Sequence, residues 1–69
     1  MTPAEFKAAR SKLGLTQRDL TALFSIASDR TVRRWEEGDK DIPGSVLLLM
    51  ELCLNLPEVR DYLGIRLKD

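Results

Sequence analysis

Arg30, Arg33 and Arg34 lie close together in the chain, and helical spacing gathers them on one face. A guanidinium is always charged. Its planar fork of donors matches phosphate oxygens and, equally, the O6/N7 edge of guanine. The chemistry this pattern points to is recognition of a polyanion; the bland alternative is a solvated helix face. Catalysis lacks its parts. There is no histidine, which removes the commonest general base and metal ligand. The single cysteine, Cys53, excludes an intrachain disulfide and a multi-thiolate metal site. It stands in an apolar run and reads as an inert small hydrophobe, a usage that suits a reducing cytosol. A nucleophilic serine or cysteine would need a lysine or carboxylate as its base, and no spacing supplies one. The glycines at 14, 38, 44 and 64 fall at expected helix ends or starts, so there is no glycine-rich phosphate loop. The expectation is a protein that is not an enzyme, with no cofactor, no metal and no small-molecule substrate.

The elements that position these arginines belong to one short domain spanning 1–69. Hydrophobic residues make up 43%, enough for a core. The 11 basic and 11 acidic residues cancel, but unevenly along the chain. Up to Glu36 seven basic residues face four acidic ones; beyond it the ratio inverts, with Lys68 and Asp69 counted in the acidic part. One basic face can therefore meet a polyanion while the whole molecule stays neutral. The longest apolar run, Val46 to Met50, falls well below the roughly 18 residues of a membrane span. The N-terminus has no signal-peptide pattern. A cytoplasmic protein without a membrane partner is expected.

Five short helices are read from caps and periodicity. Thr2-Pro3-Ala4-Glu5 forms a capping-box start, Phe6, Ala9 and Leu13 share a face, and Gly14 stops the helix. Thr16 to Asp19 starts the second helix, with Leu20, Leu23 and Phe24 inward. Ser25 to Ser28 is a tight turn with Ile26 pointing in. Ser28 or Asp29 caps a third helix running to about Glu37. There Val32 and Trp35 are buried opposite Arg30, Arg33, Arg34 and Glu37, and Gly38 ends it. Pro43 opens a fourth helix to about Leu54, and Pro57 a last one ended by Gly64. The fourth is apolar nearly all round, with Glu51 and Asn55 as its narrow polar strip. A chain this small cannot bury such a helix on every side. Its free face is expected to meet a second copy through Leu47, Leu48, Met50, Glu51 and Leu54, with the stretch of about 43–64 as the dimerisation region.

Leu13-Gly14-Leu15-Thr16-Gln17, then Leu20 and Leu23, Thr31-Val32, Arg34-Trp35-Glu36-Glu37-Gly38 and Ile42-Pro43 resemble the Cro/cI-type (XRE family) helix-turn-helix proteins over about residues 4 to 54. The resemblance implies an all-α bundle like the lambda-repressor DNA-binding domain, with its helix-turn-helix at about 16–38. It implies a sequence-specific transcription regulator, most often a repressor, bound as a homodimer to an inverted-repeat operator in double-stranded DNA. Carried over, the third helix is the recognition helix. Arg30 and Arg33 reach base edges, with one of Ser28, Asp29 and Arg30 leading into the groove, Thr31 at a thymine methyl or a phosphate, and Arg34 alongside. Gln17 contacts phosphate at the start of the second helix. Arg18 and Lys40 are further phosphate candidates, with plain surface as their alternative. Arg10 and Glu36 form a salt bridge joining the first and third helices. The turn opens with Ser25, where the family usually has glycine, and Ile26 to Val32 is one residue longer than usual. The alternative function, also found in this fold, is a protein-interaction or antitoxin-like module that binds a partner protein through the fourth helix.

Overall fold

The computed structural model describes residues 1–67; Lys68 and Asp69 lie outside the described residues. Two helices begin with the same device. At the first, the Thr2 hydroxyl accepts from the Glu5 N–H (3.1 Å) and the Glu5 carboxylate accepts from the Thr2 N–H (2.7 Å), opening α1 (Pro3–Lys12). At the second, Thr16 and Asp19 exchange the same pair of bonds, both 3.0 Å, opening α2 (Gln17–Phe24). Each box satisfies amide groups that a helix start leaves without partners. The remaining elements are α3 (Asp29–Glu36), α4 (Gly44–Asn55) and α5 (Pro57–Leu63). The described residues contain no strand. No helix among them is long and apolar enough to cross a membrane.

One cluster of side chains joins these elements. Phe6 and Ala9 come from α1, Leu13 from its end, Leu20 from α2, Val32 and Trp35 from α3, and Val46, Met50 and Cys53 from α4. Phe6 meets Trp35 edge to face, with ring centroids 6.2 Å apart. That geometry sets the positive edge of one ring against the negative face of the other. Ile26 packs against the cluster from the α2–α3 turn, pointing inward as expected.

The tenth core residue, Ile65, lies beyond the last helix and was not expected there. The backbone turns through the left-handed region at Gly64 (φ 73°), and the Ile65 N–H returns to the Arg60 carbonyl (2.8 Å). This C-terminal motif swings the following apolar side chain back onto the bundle.

The structure corrects the expected seam on α4. Val46, Met50 and Cys53, at i, i+4 and i+7, form the inward stripe, and Met50 is 0% exposed. Leu47 and Leu54 pack against the same cluster from its flank. Met50 is therefore part of the protomer's own core, and Leu47 and Leu54 lean toward it. The outward face holds Leu48, 56% exposed, with Glu51 and Asn55. Leu49 and Leu52 are half-buried beside it and stand outside the packed cluster. A helix apolar all round carries no periodic signal to say which stripe faces in; contacts with α1 and α5 decide it.

Candidate nucleic-acid interface

The α3 helix buries Val32 and Trp35 and turns its arginines outward. Arg30 and Arg33 are exposed and Arg34 is half-buried. Glu37, the residue that closes the helix, belongs to the same face, three and four residues after Arg34 and Arg33. Its carboxylate approaches the Arg33 guanidinium at 3.9 Å, with both side chains more than half exposed. At the other end Ser28 holds the N-cap position in extended backbone, and its hydroxyl makes no cap bond. It lies 3.4 Å from the Thr31 hydroxyl instead. Asp29 is exposed in the first turn, where a carboxylate suits the positive end of the helix.

Three helices are tied to one carboxylate at the far end of α3. Arg10 of α1 donates through Nε to Glu36 Oε2 (2.7 Å) and through Nη2 to Glu36 Oε1 (3.1 Å). Its remaining Nη1 donates to the Leu15 carbonyl (2.8 Å), which pins the α1–α2 connection. Gln17, the first residue of α2, donates through Nε2 to Glu36 Oε1 (3.1 Å). The expected Arg10–Glu36 pair is thus present. The bond from Gln17 was not expected, and it gives that side chain a structural partner inside the protein. Only 3% of the Glu36 side chain is exposed, so these bonds act where solvent screens them little.

The α1–α2 connection and the starts of α2 and α3 enclose an open cleft. Thr16, Gln17, Arg18 and Asp29 are among the residues lining it. The fold thereby brings three of the expected site residues, Gln17, Arg18 and Asp29, to one place. Arg30, Arg33 and Arg34 follow from Asp29 along α3. Lys40 is exposed in the connection to α4 and does not line the cleft.

The α2–α3 turn holds the positive-φ residue Ser25 (φ 54°, ψ 41°). Its N–H donates to Thr21, and so does that of Ile26 (3.0 Å). Left-handed backbone disfavours any residue with a Cβ. Ser25 accepts that conformation so that the chain can reverse between α2 and α3.

Cys53 lies buried in α4, and burial pushes its thiol up, against the opposing pull of the Arg60 guanidinium. Arg60 also donates to the Cys53 and Leu54 carbonyls (2.9 and 3.0 Å), fastening α5 to the end of α4. Sequence reasoning missed this cap, although a basic residue just past a helix C-terminus is its usual signal. Among the described residues no group of His, Cys, Asp and Glu is arranged to hold a metal ion.

Comparison with known protein families finds no match to this chain. Comparison with curated proteins finds none either.

Proposed function

We propose that the chain is a helix-turn-helix transcription regulator of the Cro/cI type. It binds an inverted-repeat DNA operator as a homodimer and represses by occupying it. The observation that carries this reading is the pairing of α2 with α3. Glu36 and Gln17 link the two helices, α3 buries Val32 and Trp35, and its outward face presents Arg30, Arg33 and Arg34. A helix so mounted has the size to enter a major groove, where arginine forks read guanine edges and phosphates fix the register. Arg18 and the positive end of α2 suit the flanking phosphates. One module reaches few bases, so specificity calls for two half-sites about 34–36 Å apart. In this reading the outward face of α4 around Leu48 supplies the twofold seam, and the protein works in the cytoplasm.

The exposure of Leu48, beside Leu49 and Leu52, also supports a second reading. In it the outward face of α4 docks a partner protein, as an antitoxin-like module does.

Selection from random DNA duplexes with the purified protein, near physiological salt, tests the first reading. Salt matters because phosphate contacts alone fade steeply as it rises. Enrichment of an inverted repeat is the expected result. A folded protein that enriches nothing rejects DNA recognition and leaves the partner-binding reading.

A further inference from the structure

The basic face of α3 contains its own anion. On the helix surface Glu37 follows Arg30 by seven residues, Arg33 by four and Arg34 by three, spacings that put its carboxylate on the same helix face as the three arginines. Of the three, Arg33 stands within ion-pair distance of it, at 3.9 Å. The neighbouring Glu36 is not available for this purpose, because Arg10 and Gln17 engage it. Glu37 also stands at the negative end of the α3 dipole, where a carboxylate is unfavourable for the helix itself. The pair with Arg33 favours the helix and the dipole opposes it, so helix stability gives no strong net reason for a carboxylate there.

We infer that Glu37 is a specificity-determining residue that competes with DNA phosphate for the arginines of α3; the inference rests on the DNA-binding reading above. A phosphate arriving at this face must displace the carboxylate from Arg33 and tolerate a like charge beside it. Non-specific contact offers a phosphate and nothing more. At a cognate site the released guanidinium gains a base edge as well, and that gain offsets the displacement. Discrimination is a difference between two affinities, and a repulsive element that weighs on the wrong complex widens it.

The test compares Glu37→Gln with the unaltered protein on the duplex enriched by selection and on a random duplex of the same length. Glu58→Gln on α5 serves as the control for net charge. Loss of an exposed ion pair of this kind should tighten random-duplex binding about two- to fivefold and the enriched duplex less, so that the ratio of affinities falls. Glu58→Gln should leave the ratio unchanged. Thermal melting should show Glu37→Gln close to the parent, since the lost ion pair and the relieved helix-end charge offset one another. An unchanged ratio, whether both affinities rise together or neither moves, overturns the role of Glu37 and leaves the DNA-binding reading standing. Absence of DNA binding by parent and variant alike overturns both.

Discussion

Arg10 and Glu36 are 26 residues apart in the chain and meet through two parallel hydrogen bonds, with 12% and 3% of their side chains exposed. Removing one partner leaves the other as an uncompensated, largely buried charge. Glu36→Ala should destabilise the fold by about 3 kcal/mol, measured by chemical denaturation. Replacing both, as in Arg10→Met with Glu36→Leu, should cost less than the single change, because neither charge is then stranded. A single variant as stable as the parent would show that the pair contributes nothing.

Ser25 holds a left-handed conformation that glycine adopts freely. Ser25→Gly should raise stability by roughly 0.5–1 kcal/mol, the relief of the Cβ strain less the entropy that glycine loses on folding. A fall in melting temperature would mean that the serine hydroxyl contributes more to the turn than its backbone strain removes.

Variants at Arg33 and Arg18 test base reading against phosphate contact. Arg33→Ala should cost about 1–3 kcal/mol on the selected site and relax preference at one position. Arg18→Ala, at the edge of the cleft, should weaken selected and random duplexes alike and lower the salt slope by about one. Equal weakening of both duplexes by Arg33→Ala would assign that residue to phosphate.

Leu48 and Met50 lie two residues apart on α4 and point opposite ways. Leu48→Asp should leave the helical circular dichroism intact and halve the mass seen by light scattering, if the outward face forms the dimer. Met50→Ala empties a fully buried position and should destabilise the protomer by about 2–5 kcal/mol. An unchanged mass for Leu48→Asp removes this face from the seam.

The two capping boxes set an acid limit. Backbone hydrogen bonds from Thr2 and Thr16 hold the Glu5 and Asp19 carboxyls below their ordinary values. With folded pKa values lowered, the unfolded chain binds more protons as acidity rises. The stabilisation is complete above the ordinary carboxylate range and is lost as pH falls through the lowered values. Melting temperature should therefore drop on acidification through and below that range. Glu5→Gln with Asp19→Asn should lower it at neutral pH and flatten that dependence. A parallel pH profile in the variant would exclude the boxes as its source.

Local signals carried the helices. Thr2 with Glu5, Thr16 with Asp19, and the glycines at 14, 38 and 64 mark starts and stops through bonds spanning three to five residues, so their meaning is complete within the chain segment. The same holds for the Val32/Trp35 stripe and the arginines opposite it, because one helical period relates them. The Arg10–Glu36 pair was legible through resemblance alone, since nothing in a 26-residue separation declares a contact.

Other features needed the assembled bundle. Gln17 was expected at phosphate, yet its amide nitrogen lies on Glu36, a partner set by how α2 crosses the end of α3. The apolar circumference of α4 left its orientation undetermined, and packing turned Met50 inward and Leu48 out. Ile65 joined the core because Gly64 reversed the chain after α5. The sequence by itself determined where helices begin and end and which face of α3 is basic, because those depend on neighbours within a turn or two. Which stripe of α4 is buried, what holds Gln17, and what closes the core were decided by tertiary structure, because each depends on surfaces that meet after the chain has folded.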